Sequence, residues 1–510
     1  MIISLSVLVI TIIVSGTYAL YKTQLSKNIG VNTTTHGLAY YINYVKGTDI
    51  TAATLNPSTS YEGGASSDIE FWKKDDSYDI YGKIELTVNT IGTNLSNSPA
   101  LKYAVVNNGN VLKEGSLKGT TSGSKVTILK NLYLEQTKQI YTVYVWLDNS
   151  EELGNISNES LSISVDCTAS LQKEPTAADT IISLYTSAAK VTATNNSITY
   201  NTAPSVSLMN DRLGGTTTDL DGGNIRYYGA NPNNYIYFNC SDYSNQTSST
   251  CETWRIIGVF DGKLKLIKSE SIGAYSWDNK DTSRGAENDT GKNDWTTARL
   301  MKLLNPSNYY KVDSNDNNLG QSLYYNSASG KCYSGQNNAT VDCDFTSTGI
   351  KNAETRNMIA ETTYNLGGWN TFTVYPNEIY EYERGTTVYT GRPTTPWTGK
   401  IALAYPSDYG YAADLNQCKD KTLYDYNNST CTSNNWMKAI ITNNGSNSGW
   451  LLTPYSSTSG TVWAVRSLGG VGYGYSAYYA IGAVPVLSLS SKLGIESGDG
   501  SSSNPYKLSA

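Results

Sequence analysis

Six of the seven cysteines fall into matched pairs. Ten residues separate Cys240 from Cys251 and Cys332 from Cys343, and twelve separate Cys418 from Cys431. The intervening segments are built of Ser, Thr, Asn, Asp and Gly, as exposed loops are. Two thiols at such a spacing can close a local disulfide, worth about 2–4 kcal/mol through loop closure. A zinc site would want short Cys-x-x-Cys pairs, and the chain has none. The spacing therefore predicts three local disulfides. Cys167 is left over, either buried as a free thiol or cross-linked to another chain.

Other reactive groups offer less. His36 is the one histidine, so chemistry that needs a histidine base or ligand is nearly excluded. Glu378, Glu381 and Glu383 in NEIYEYERG could supply two carboxylates for glycoside hydrolysis, which needs a raised-pKa acid and a spacing of about 5–10 Å. Beside Arg384 they read more simply as an exposed charged strand. Two stretches could offer hard oxygens to calcium. One is Asp219, Asp221 and Asn224 around Gly222-Gly223; the other is Asp278, Asp281, Glu287, Asp289 and Asp294. A calcium loop wants about six or more ligands, and the first stretch lacks the usual glutamate. The sequence thus predicts no catalytic residue, no metal and no cofactor.

The most distinctive side chains are tyrosines, 41 against 5 phenylalanines, while charged residues are only 16% of the chain. Tyrosine packs like an aromatic and keeps a polar tip, which suits half-exposed sheets and binding surfaces. The richest stretch is WLLTPYSSTSGTVWAVRSLGGVGYGYSAYYAIGAVPVLSLSS (450–491). Its regular apolar positions predict a buried strand frame of Trp450, Trp463, Val465 and Leu487. Between them, Tyr455, Arg466, Tyr473, Tyr475, Tyr478 and Tyr479 are expected on one exposed ligand-binding face, with Ser and Gly adapting around them. The competing reading is structural stacking on a sheet.

The elements that would hold these groups follow from periodicity. From about 37 to 168 the pattern alternates, as in Ile84, Leu86 and Val88, in Tyr141, Val143, Val145 and Leu147, and in Leu161, Ile163 and Val165. Turn residues such as Asn107-Asn108-Gly109-Asn110 separate the runs, so an antiparallel β-sandwich is expected over 20–172. Residues 173–199 should form a helical linker, or else an ordinary packing helix, with Ile181, Ile182, Leu184, Tyr185 and Ala188 as its stripe. Residues 200–510 read as α+β. Asp261-Gly262 marks a hairpin, and helices are expected at 295–305, 352–368 and 436–440.

The opening MIISLSVLVITIIVSGTYALYKTQ is apolar from Ile2 to Val14. Residues 1–19 are expected to be a signal peptide cleaved after Ala19, or else a retained N-terminal anchor, the one route to a membrane. With 44 acidic and 38 basic residues and a net charge of -6, the chain has no basic footprint for nucleic acid.

Two resemblances sharpen the expectation. ALYKTQ after the apolar segment, with YTVYVWLD (141–148) and SLSISVD (160–166), resembles the camelysin/TasA family of secreted β-sandwich proteins, whose members assemble into fibres. The C-terminal pattern Trp450-Leu451, Thr453-Pro454, Val462-Trp463-Ala464-Val465, Gly482 and Pro485-Val486-Leu487 resembles C-type-lectin-like domains of bacterial surface receptor-binding proteins, including retroelement-diversified variable proteins. That family usually carries Gly-Val-Arg-Pro where this chain has Gly482-Ala483-Val484-Pro485. The related formylglycine-generating enzyme uses a reactive cysteine pair, and no cysteine follows Cys431 here.

The expected fold is therefore mainly β, an N-terminal antiparallel β-sandwich followed by a C-type-lectin-like α+β domain with insertions. The expected function is an extracellular or cell-surface adhesin for a protein or glycan ligand, not an enzyme. A self-assembling fibre or pilus subunit is the alternative, and a secreted hydrolase ranks last.

Overall fold

Alternation of apolar and polar residues builds the first of two units, Met1–Glu174, of a computed structural model; the second is Pro175–Ala510. The structure describes residues 23–25, 41–51, 55–151, 153–156, 159–212, 223–279, 291–310, 319–335, 338–394, 396–443 and 445–509. The expected signal segment and His36 lie outside them. Strand covers 38% of the chain and helix 17%. The architecture is accordingly mainly β, in several antiparallel sheets, none of them closed among the described residues.

In the first unit the long strands are β1 (Ile42–Val45), β2 (Ala65–Lys73), β3 (Tyr81–Ile91), β4 (Leu101–Asn107), β5 (Asn110–Ser116), β6 (Lys125–Tyr133), β7 (Ile140–Asp148) and β8 (Leu161–Ser170). One sheet runs β8-β3-β6, with Thr23–Leu25 and Ile50–Thr51 added along β8; the other runs β1-β2-β7-β4-β5. Ile84, Leu86 and Val88 of β3, Val143 and Val145 of β7, and Ile163 and Val165 of β8 all point into one core. The intervening residues face outward, as period-2 alternation requires. Asn108 and Gly109 take φ of 49° and 76°, the left-handed pair that a two-residue hairpin between β4 and β5 needs. Cys167 on β8 is buried in this core as a free thiol, not held in a bond.

The second unit begins with α1 (Ala177–Ser187). Thr176 caps it and Asp179 closes the capping box. The helix expected within 173–199 is present, and it packs as part of the second unit. Ala177, Ala178, Ile181 and Tyr185 are part of a large core, and the Ala177 N–H donates to the Leu493 carbonyl at 2.7 Å. The next strands, β9 (Val191–Asn195), β10 (Ile198–Ala203) and β11 (Leu208–Asn210), open the main sheet. It continues through β12 (Ile225–Tyr227), β13 (Glu252–Phe260), β14 (Lys263–Lys268), β21 (Val486–Ser488) and β16 (Ile401–Ala402) in the order β9-β10-β11-β12-β13-β14-β21-β16. The β13–β14 hairpin turns on Asp261 and Gly262, at φ of 48° and 69°.

A second sheet has the order β15-β20-β17-β18-β19. Its strands are β15 (Ala274–Ser276), β17 (Gly449–Pro454), β18 (Thr461–Val465), β19 (Val471–Ser476) and β20 (Ala480–Gly482). This sheet is covered on both faces. Trp450, Leu452, Val462 and Ala464 enter one core, while Leu451, Trp463, Val465 and Val471 enter another. Double coverage explains why 450–454 and 461–465 read as nearly unbroken apolar runs.

The helices differ from expectation in extent. Residues 295–305 split at the extended Ala298 into a short 3-10 turn and α2 (Arg299–Leu304). The helix expected over 352–368 stops early, as α3 (Ala353–Met358). The Ala360 N–H then bonds the Ser488 carbonyl, and the β-branched pair Thr362-Thr363 pairs as a strand with Trp397–Gly399. The exposed charged strand expected in NEIYEYERG (377–385) is instead α4 (Pro376–Glu383), started by Pro376 and by Glu378, whose carboxylate accepts the Tyr375 N–H at 2.9 Å. Two further helices are α5 (Pro406–Tyr411) and α6 (Met437–Thr442).

Disulfides join Cys240–Cys251, Cys332–Cys343 and Cys418–Cys431, as the spacing predicts. Such bonds fit a protein that matures outside the reducing cytosol. Among the described residues no helix is long and apolar enough to cross a membrane. The placement of α1, β9 and β10 also makes a sharp prediction. A fragment starting at Pro175 is expected to melt cooperatively by circular dichroism. One starting at Tyr200, stripped of α1 and β9, is expected to lose that transition. Equal melting of the two would show that 175–199 is dispensable.

Candidate functional site

The frame expected in 450–491 is in place, since Trp450, Trp463, Val465 and Leu487 are all buried. The six expected contact residues are not one face. Tyr455 is a core residue; its ring meets Trp463 edge-on at 6.2 Å and its hydroxyl donates to the Asn370 carbonyl at 3.0 Å. Arg466 lies past the end of β18, half-buried, with its guanidinium 5.1 Å from the Tyr424 ring. Tyr475, Tyr478 and Tyr479 do gather. Tyr479 stands 4.9 Å from Tyr478 and 6.4 Å from Tyr475, all edge-to-face. Tyr475 also rests edge-on against Trp450 at 6.2 Å, and its hydroxyl meets that of Ser448 at 3.2 Å. The Tyr473 side chain is outside the described positions.

Sheet alternation explains the split. Tyr475 and Tyr479 pack against the core that holds Trp450, whereas Tyr455 belongs to the core that holds Trp463. Those cores lie on opposite faces of one sheet. The tyrosine excess also has a structural use. Tyr185, Tyr200, Tyr227, Tyr324, Tyr409 and Tyr411 are among the largest fully buried side chains. Of these, Tyr409 donates its hydroxyl to the Gly469 carbonyl at 2.7 Å, and the neighbouring buried Tyr405 donates to that of Asn365 at 2.9 Å.

Two surface features escape a reading of 450–491 alone. The 466–470 turn carries Leu468, 68% exposed, beside Tyr424, 38% exposed, and Phe372 lies 5.0 Å from Tyr424. Trp369 stacks flat on Tyr382 at 3.6 Å and 5°, both half-buried. These residues come from the 369–372 loop, from α4, from the 3-10 turn at 423–427 and from the 466–470 turn, so they lie outside the 450–491 window or at one point of it.

Beneath lies a buried ionic network. Arg226 of β12 donates to Asp211 at 2.5 Å and to Asp408 at 2.9 Å, and Lys265 of β14 donates to Asp408. Burial works against the Asp408 charge, but Lys265 and Arg226 outweigh it and hold its pKa below the usual range. Nearby, both carboxylate oxygens of Glu383 engage Ser407, accepting its N–H at 2.9 Å and its hydroxyl at 2.5 Å. Burial raises the Glu383 pKa to about 7, against the pull of Arg384. A raised acid is the first requirement of a glycosidase, but Glu383 is sealed from solvent, and Glu381 is exposed on the same helix.

The calcium candidates are also engaged. Asp219, Asp221, Asp281, Glu287 and Asp289 fall outside the described residues. The Asn224 amide donates to Asp211 and to the Tyr380 hydroxyl, each at 2.9 Å. Asp278 accepts the Lys292 N–H at 2.9 Å, and Asp294 caps the 295–297 turn. Among the described residues no three His, Cys, Asp or Glu side chains gather as metal ligands would. Asn224 and Tyr380 also line a cleft of about 380 Å³ with Ile182, Val259 and Asp261.

No family model and no curated protein matches the chain. Solved structures give distant likenesses. Two mutants of HCR/D are each 12% identical, covering 51% and 50% of this chain and 76% of theirs, at a TM-score of 0.15. The receptor binding domain of botulinum neurotoxin mosaic serotype C/D is 11% identical over 50% of this chain and 74% of its own, also at 0.15. Scores that low establish neither a shared fold nor a shared ligand. The camelysin/TasA and lectin-like resemblances rest on residue pattern alone.

Two expectations follow. Tyr455→Ala should cost about 3–5 kcal/mol, the usual cost of emptying an aromatic core position, and so lower Tm; an unchanged Tm would return Tyr455 to the surface. The neutral form of Glu383 is favoured by folding, so its contribution is full below the unfolded pKa of about 4.3 and is lost as pH rises to about 7. Glu383→Gln should therefore flatten the fall of Tm across that window. Superimposable pH profiles would refute the assignment.

Proposed function

We propose that this is an extracellular, surface-associated ligand-binding protein, an adhesin, and that it performs no catalysis. The carrying observation is the Tyr475, Tyr478 and Tyr479 cluster seated on buried Trp450. Rings fixed by one another offer contact area at little cost in rotamer freedom, which favours recognition of a protein or glycan. Arg466, Tyr424 and Leu468 add a second contact region at the hairpin turn. The disulfides support an extracellular setting. The proposed architecture is a β-sandwich that carries a C-type-lectin-like domain.

The alternative, a fibre subunit, draws on β5. It lies at the edge of its sheet with Val111 42% exposed, and an open edge can pair with another strand. Filaments of the purified protein in electron micrographs would favour that reading.

The adhesin reading is tested on an array of immobilised glycans and extracellular-matrix proteins. The double variant Tyr478→Ala/Tyr479→Ala should weaken retention by about 1–3 kcal/mol per tyrosine while keeping a native circular dichroism spectrum. Undiminished retention of the folded variant, or no retention of the wild type, would end it.

A further inference from the structure

Lys265 and Asp408 meet 143 residues apart in sequence and out of reach of solvent, with side chains 7% and 1% exposed. The Lys265 ammonium donates to Asp408 Oδ2, and the rings of Phe260 and Tyr405 stand 4.9 Å and 4.7 Å from Nζ. The Arg226 guanidinium donates to Oδ1 at 2.9 Å, and the Tyr405 N–H donates to Oδ2 at 3.0 Å. The amine and the carboxyl carbon it would attack are thus fixed side by side in an apolar, aromatic enclosure.

We propose that Lys265 and Asp408 condense after folding into an intramolecular amide, a covalent cross-link between β14 and α5. The ammonium first passes a proton to the carboxylate, leaving an amine beside a carboxylic acid. The nitrogen lone pair then forms a bond to Cγ, and an electron pair moves onto Oδ1. Collapse of this intermediate breaks the Cγ–Oδ2 bond, and Oδ2 leaves as water with two protons from nitrogen and acid. Ammonium and carboxylate become amide and water; nothing is oxidised or reduced, and no co-reactant is needed.

Three observations favour the step. Burial lowers the Lys265 pKa and brings the reactive amine within reach, although Asp408 opposes it and the lowered Asp408 pKa makes the proton transfer an uphill pre-equilibrium. Pre-placed partners avoid the entropy cost of encounter. Arg226 lies on the oxygen that becomes negative, where it stabilises the intermediate, although it also steadies the starting carboxylate. The product leaves the interior balanced, because one charge of each sign disappears and the Arg226–Asp211 pair remains.

The test is made on the full wild-type chain, reduced, alkylated and digested for tandem mass spectrometry. The expected result is a branched peptide that joins the Lys265 and Asp408 segments and is lighter than their sum by one water. It should be missing from Lys265→Arg. Recovery of both segments only as linear peptides from the wild type would overturn the proposal. Because that reading uses the wild type, it does not depend on how the variant folds. It is also independent of any ligand.

Discussion

The second unit depends on one buried carboxylate. Asp408 takes cations from two strands, Arg226 of β12 and Lys265 of β14, and sits in the first turn of α5. Arg226 extends the tie to Asp211, just beyond β11. Removing one member would leave a charge in an apolar interior at a cost of about 3–5 kcal/mol. The next residue, Tyr409, carries the constraint outward, because its hydroxyl holds the Gly469 carbonyl in the β18–β19 turn. The conformation that presents Arg466 is thus anchored to the ionic centre.

That centre was not legible in the sequence. Asp211, Arg226, Lys265 and Asp408 are dispersed over nearly 200 positions, and each by itself looks like an ordinary surface charge. The strands of the first unit were legible, because each shows one face to a core and alternation follows. The disulfides were legible because loop closure is local. The span 352–368 misled because its helical stretch continues into Thr362-Thr363, where pairing with Trp397–Gly399 overrides local preference. The run at 377–385 misled in the opposite way. Its glutamates beside Arg384 suggested an exposed charged strand, but Pro376 and the Glu378 cap start a helix that carries Glu383 inward.

The stretch 450–491 was half legible. Its apolar frame was read correctly, yet apolar residues at consecutive positions mean that the sheet has two covered faces. A single outward face for all the intervening tyrosines is incompatible with that geometry. Tyr455 goes to one side and Tyr475 and Tyr479 to the other. Some of the buried tyrosines are satisfied by carbonyls that accept their hydroxyls, as at Gly469 and Asn365, whereas the Tyr200, Tyr227 and Tyr324 hydroxyls are buried without a hydrogen-bond partner among the described residues.

The lone thiol of the first unit gives that unit an internal clock. Cys167 is enclosed by the core on β8, and burial pushes its pKa far above that of a free thiol. A thiol reagent meets neither a surface nor a thiolate while the sheets stay closed. The rate at which such a reagent consumes the sulfur therefore counts openings of the β8 core, with no label introduced and no residue changed.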